Sequence, residues 1–209
     1  QTLLRDVKWR LALNADGTDQ IYSEQEWSEV PLTEKQRLSR LALDSARTGF
    51  QYLFGYYQMR SAYYERWHPP TYLNDVVEFL NSEAFLSFVH CISGVDTIVS
   101  SDCQATWYKL GHYLTLHDDS QVSSRRLAYV LNFTRVWRPD WGGVLQFFGP
   151  HGNVVEGYTP AFNMLNIFKV PVTHAVAYVT PFAGAPRLAI TGWLHDVKLT
   201  YGCRGLRNC

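Results

Sequence analysis

The residues that stand out for chemistry are His117, Asp119, His174 and Arg187, separated in the chain by 2, 55 and 13 positions. Histidine imidazoles and aspartate carboxylates are common ligands for a divalent metal. Side chains two apart on an extended strand point to the same side. His117 and Asp119 can therefore grip one ion while Asp118 points elsewhere. A third ligand 55 residues on requires the chain to fold back on itself, as the strands of a jelly roll do. Two imidazoles and one carboxylate on one face of an octahedral ion leave three neighbouring positions open for other ligands.

Arg187 opens the apolar run Arg187-Leu188-Ala189-Ile190-Thr191, on which Arg187, Ala189 and Thr191 share one face. An unpaired guanidinium inside a barrel mouth is very costly, so it needs an anionic partner. A dicarboxylate whose keto-acid end chelates the metal would supply one, with its far carboxylate on Arg187 and the Thr191 hydroxyl beside it. With an open-sided two-histidine, one-carboxylate site, this is the chemistry of non-haem iron(II) oxygenases. Each residue alone has a plainer reading. H-x-D occurs by chance, a later histidine is usually structural, and an arginine at a strand start usually sits on the surface. Only order and spacing together favour the metal. His68, His90, His112, His151 and His195 lack such companions and read as surface or supporting residues.

These side chains must be carried by strands. From about residue 100, short β-type runs follow one another: 104–109, 112–117, 126–133, 144–148, 162–168, 175–179 and 187–194. Turn formers such as Asp140-Trp141-Gly142-Gly143 separate them. Even spacing of short strands predicts a sandwich, jelly roll or barrel. Upstream, Asn14-Ala15-Asp16-Gly17 predicts a hairpin. Thr33-Glu34-Lys35-Gln36 has the form of a capping box, opening a helix with Leu38, Leu41, Ala42 and Ala46 on one face and Gly49 as its stop. Residues 52–64 read as strand plus loop. Residues 72–93 read as helical, interrupted at Asn81-Ser82 with Ser82 as N-cap and ended by Gly94. The whole is expected to be one oxygenase domain, with 1–99 as helical and strand support, 100–198 as the β core and 199–209 as a tail.

Composition excludes several classes. The chain has 209 residues, 46% hydrophobic and 15% aromatic, which describes a packed globule rather than a disordered segment. Nineteen basic residues balance 19 acidic ones, so no basic excess advertises nucleic-acid binding. No apolar run approaches the roughly 20 residues of a membrane helix. The four cysteines fit no zinc ribbon or redox pair, and Cys203 and Cys209 could pair or stay free. A cytoplasmic location is expected.

The stretch Tyr108-Lys109-Leu110-Gly111-His112-Tyr113-Leu114-Thr115-Leu116-His117-Asp118-Asp119 resembles the Y-x-x-G-x-x-L-x-x-H-x-D signature of prolyl hydroxylase-type oxygenases. Arg125-Arg126, Trp137 and Gly142-Gly143-Val144-Leu145 resemble a second block. Phe162-Asn163-Met164-Leu165 through His174 to Arg187–His195 resembles a third. The likeness is to the ribosomal-protein prolyl hydroxylases and their bacterial single-domain relatives. It implies a mainly β chain with supporting helices: a double-stranded β-helix core, jelly-roll and cupin-like, with N-terminal helices packed on its major sheet. It also implies Fe(II) on His117, Asp119 and His174, and 2-oxoglutarate on Arg187 and Thr191 with Tyr108 from the opposite wall. Asn132 stands where the family has a cosubstrate-holding tyrosine. Trp193 would shape the pocket, with Leu131, Arg135 and Trp137 as further pocket or substrate contacts. The implied reaction couples oxidative decarboxylation of 2-oxoglutarate to succinate and CO2, using O2 and with ascorbate as reductant, to hydroxylation of a substrate C–H bond. The implied substrate is a proline-containing protein or peptide of the translation machinery. A free amino acid or other small molecule is an alternative substrate. A non-catalytic 2-oxoglutarate- or metal-binding sensor and a zinc hydrolase on a cupin-like barrel are alternatives of other classes.

Overall fold

A computed structural model of the protein describes residues 7–15 and 17–199. Cys203 and Cys209 lie outside the described residues. Strands β1 (Arg10–Ala15) and β2 (Thr18–Ser23) form the expected hairpin, with Gly17 at positive φ in its turn. Helix α1 (Glu24–Glu29) carries the capping box that the sequence reading assigned to Thr33: the Ser23 hydroxyl accepts from the Glu26 N–H, and the Glu26 carboxylate accepts from the Ser23 N–H. Helix α2 (Leu32–Ser45) instead begins behind Pro31, which has no side-chain cap. The ring fixes φ for helix entry, which places Thr33 inside the first turn rather than at its mouth.

Strand β3 (Tyr52–Tyr57) is followed not by a loop but by a short helix α3 (Met59–Tyr64), with Met59 and Ala62 buried one turn apart. Helices α4 (Tyr72–Leu80) and α5 (Glu83–Ser93) break at Asn81-Ser82 as expected. The Ser82 hydroxyl accepts from Phe85 N–H, and Gly94 closes α5 in the left-handed region. The remaining strands are β4 (Ser100–Ser101), β5 (Gln104–Tyr108), β6 (Tyr113–His117), β7 (Arg125–Asn132), β8 (Leu145–Phe148), β9 (Val154–Tyr158), β10 (Met164–Lys169), β11 (His174–Val176) and β12 (Arg187–His195). Neither β4 nor β9 was expected. The first has only two residues, and the second, wholly exposed, has no apolar alternation to betray it.

All strands join one antiparallel 12-stranded sheet, whose main path is β10-β7-β12-β5-β3-β6-β11-β8-β9. The sheet curls until its ends face. Leu145 and Phe147 of β8 pack against Val130 of β7 and Ala189 of β12, although β8 lies six and five strand positions from them along the sheet. Strand alternation gives β12 two functions. Leu188, Ile190 and Leu194 meet Leu73, Val77, Leu80, Phe85 and Val89 of α4 and α5, which cover the outer face. Arg187, Thr191 and Trp193 face the inside of the roll. The N-terminal half does more than buttress, because β3 lies within the sheet between β5 and β6. Among the described residues, no helix is long and apolar enough to cross a membrane.

Candidate metal centre

The antiparallel pairing of β6 with β11 sets His174 directly opposite His117. Their ring centroids lie 4.1 Å apart. Asp119 completes the group, with Oδ1 3.6 Å from His117 Nε2 and Oδ2 3.5 Å from His174 Nε2. The ligand atoms of the three residues all lie within 4.8 Å of one another. The route taken by Asp119 differs from the sequence expectation. Strand β6 ends at His117, and Asp119 sits beyond it at φ 62°. Continued extension would carry the carboxylate about 7 Å up the strand. The left-handed turn brings it back beside both imidazoles, and aspartate tolerates this backbone better than most residues.

Both imidazoles are oriented from behind. The Nδ1 atoms of His117 and His174 each lie 2.8 Å from the carbonyl oxygen two residues earlier, of Thr115 and Val172. Donation from Nδ1–H leaves the Nε2 lone pair aimed at the shared centre, the usual device by which a metal-binding histidine is fixed. Phe50, Phe147 and Phe168 pack around the rings. Burial, with the neighbouring His174, pushes the His117 imidazole down to about 4, despite the opposing pull of Asp119. His117 is thus neutral at physiological pH, as a ligand must be. Three donors converge on one point, two nitrogen and one oxygen, and suit a first-row divalent ion such as iron(II).

The centre opens into a cavity of about 580 Å³, within the usual range for small-molecule sites. At its far end Arg187 is only 2% exposed, and its Nε has no hydrogen-bond partner among the described residues. It hydrogen-bonds Tyr108, its cross-strand neighbour, whose hydroxyl burial pushes up to about 12. Burial also draws the Arg187 pKa below its ordinary value. No carboxylate pairs with this guanidinium among the described residues, so the cavity offers a desolvated cation to an incoming anion. Gly142-Gly143 makes room for it. A Cβ on Gly143 would lie 2.9 Å from the Trp137 ring and 3.3 Å from Arg187 Cδ.

Thr191 and Trp193 line the same cavity, and Tyr108 does so from the adjacent strand β5, beside Arg187 rather than on the opposite wall as expected. Asn132, Leu131, Arg135 and Trp137 do not line it. Asn132 sits on β7 opposite Ala189 of β12 and donates to the Met164 carbonyl and to Asn166 Oδ1. Leu131 is of the opposite parity and joins the helix-side core. Arg135 lies over Phe162, and Trp137 donates to the Gly142 carbonyl. Both follow the end of β7. His195 was expected at the surface or in support. It is fully buried, between Ser124 and Asp102. Gln104, Thr106, Gln121 and Arg125 also line the cavity, and sequence reasoning missed them. Gln104 and Thr106 share strand parity with Tyr108, which could have exposed them.

Comparison with known proteins agrees with this geometry. Residues 103–195 match the family described as the 2OG-Fe(II) oxygenase superfamily. That segment takes in His117, Asp119, His174 and Arg187. The chain is 30% identical over 125 residues to prolyl 3-hydroxylase OGFOD1 of Mus musculus and 31% identical over 131 residues to that of Xenopus laevis. These alignments take in 56% and 59% of this chain but only 23% and 25% of the relatives, so the chain spans about a quarter of their length. Among solved structures, a Pseudomonas putida prolyl-4-hydroxylase is similar at TM-score 0.54 and 18% identity, covering 79% of this chain and 85% of that one. A 2OG-Fe(II) oxygenase-family oxidoreductase from Burkholderia pseudomallei is similar at TM-score 0.56 and 13% identity, covering 72% and 70%. These two likenesses speak to the fold, a curled antiparallel sheet of the jelly-roll kind.

Proposed function

We propose that the chain is an iron(II)- and 2-oxoglutarate-dependent hydroxylase acting on proline in a protein. The observation that carries this reading is one cavity holding two complementary halves. One is the convergent His117, Asp119 and His174 set, and the other is the buried cation of Arg187. Iron held by the first would, when bound, supply dioxygen activation and oxidation of the cosubstrate. The residues supply binding and orientation. Arg187 takes the far carboxylate of 2-oxoglutarate, assisted by Thr191 and Tyr108. The apolar walls, Phe54, Leu114 and Val130 among them, exclude water.

Proline as target is supported by the named relatives and by the cavity mouth. There, Phe50 and Leu116 are 39% and 53% exposed and offer apolar surface to a small ring on a peptide. A translation-machinery protein is the partner class we favour, with ascorbate keeping the metal reduced. A reducing, cytoplasmic setting suits the free thiols of Cys91 and Cys103. Anaerobic titration with Fe(II) and 2-oxoglutarate tests the core of the proposal. A visible charge-transfer band is expected to grow to one equivalent of each, and its absence would end the assignment. Proline-containing peptides gaining the mass of one oxygen, with matching succinate, would then establish the substrate class.

A further inference from the structure

Arg125 opens β7 and is 4% exposed. Its guanidinium carbon lies 3.5 Å from the centroid of the Trp193 ring, and Nη1 is 3.9 Å from Asp119 Oδ1. A planar cation on an indole gains from both stacking and charge. Here that stack faces the carboxylate that straddles the two histidines.

The platform is itself fixed. Trp193 N–H donates to Asp102 Oδ1 at 2.6 Å, and Asp102 N–H donates to the Trp193 carbonyl at 3.1 Å. The other Asp102 oxygen, Oδ2, lies 3.4 Å from His195 Nε2, and His195 Nδ1 lies 2.9 Å from the Ser124 hydroxyl. With the His195 proton on Nε2, every partner is satisfied: Nε2–H donates to Asp102, and Ser124 O–H donates to Nδ1. Gly192 is required for this approach, because a Cβ there would lie 2.2 Å from the Asp102 carbonyl oxygen and 2.8 Å from its Oδ1. One buried carboxylate therefore holds Arg125 by two arms. One runs through Trp193 to the ring beneath the guanidinium. The other runs through His195 to Ser124, the residue preceding Arg125.

We infer that Arg125 is a positioning residue for the metal-ligating carboxylate of Asp119, held for that task by the Asp102, Trp193, His195 and Ser124 scaffold. The inference rests on the metal reading above. The geometry has Arg125 face Oδ1, so that the carboxylate keeps one orientation at its left-handed backbone site. The positive charge of Arg125 also opposes a dication, so orientation and repulsion predict changes of opposite sign when it is removed.

Titration of the metal-free protein with Co(II), read by its visible ligand-field spectrum, separates them without any turnover. Arg125→Met is expected to weaken Co(II) binding about tenfold or more, as loss of partners behind metal ligands does. The spectrum should also change shape, while 2-oxoglutarate affinity at saturating Co(II) stays near wild type. Arg125→Lys keeps the charge but not the flat stack, and is expected to weaken binding as well. Should Arg125→Met not fold, the lysine variant carries the test. Asp102→Asn, which weakens both arms, is expected to give the same spectral change with a smaller loss of affinity. Wild-type or tighter Co(II) binding with an unchanged spectrum in the folded Arg125 variants overturns the inference. Failure of the wild-type protein to bind Co(II) would instead overturn the metal reading itself.

Discussion

At the scale of single residues, the proposed metal reading gives Asp119 two requirements at once: a charge for the ion and a backbone at φ 62°. Asparagine meets the second and not the first, because its short polar side chain also tolerates the left-handed region. Asp119→Asn should therefore fold with stability close to wild type while losing Co(II) affinity by at least ~100-fold, the upper end seen when only partners behind the ligands are lost. Asp119→Val should lose both, since a β-branched residue is strained there. Calorimetry with metal titration on both variants checks this. An Asp119→Asn protein that still bound metal tightly would remove Asp119 from the ligand set. Arg187→Met makes the complementary case. Loss of charge-assisted hydrogen bonds of about 1.5–3 kcal/mol each corresponds to ~100-fold weaker 2-oxoglutarate binding. Co(II) affinity should be retained. Sequence made the identity of these residues readable through type and order. The turn that delivers Asp119 was not readable, because alternation along a strand and a return from its end give the same H-x-D spelling.

At the scale of elements, legibility followed local chemistry. Helix α5 was read from both ends because a serine cap and a left-handed glycine are local signals. Strand β9 and helix α3 escaped, one lacking a buried face and the other hidden in an aromatic run that also suits a strand. The glycine pair before β8 was visible only as a motif, and its physical reason is tertiary. Gly143 has φ 62°, and an added Cβ would press on Trp137 and Arg187 Cδ. Gly143→Ala should cost about 1–2 kcal/mol from backbone strain alone. It should also raise the 2-oxoglutarate dissociation constant by displacing the guanidinium. Gly142→Ala should be far worse, because its Cβ would fall 1.9 Å from the Tyr178 carbonyl oxygen. Thermal melts with 2-oxoglutarate titration distinguish the two. Equal loss of stability without loss of binding in Gly143→Ala would show that the pair serves the loop and not Arg187.

At the scale of the whole molecule, the curl of the sheet lets strands far apart in sequence build one cavity, and it also buries imidazoles away from water. The pairing of β6 with β11 could be expected only in outline, since cross-strand register over a gap of more than 50 residues leaves no local trace. A consequence for global stability follows from burial. His112 donates from Nδ1 to the Trp107 carbonyl, and burial pushes its pKa down to about 4, with Lys109 adding to the effect. The unfolded chain takes up this proton near pH 6.5, whereas the folded chain does so only near pH 4. Between these values the unfolded state binds more protons, so stability falls as pH falls. The contribution is complete above about pH 6.5 and is lost progressively down to about pH 4, amounting to about 3 kcal/mol for such an imidazole. His117 behaves alike in the metal-free chain, and bound metal would deepen the effect by favouring the neutral ring. Urea denaturation of metal-free protein at pH 7.5 and pH 5.0 should show a marked loss at the lower pH. In His112→Asn, which keeps an N–H donor but cannot titrate, a sizeable part of that loss should vanish. If the substituted protein lost as much stability as wild type across the same interval, the His112 ring would have to be already protonated in the fold, and the closed interior drawn for this corner of the roll would be open to water.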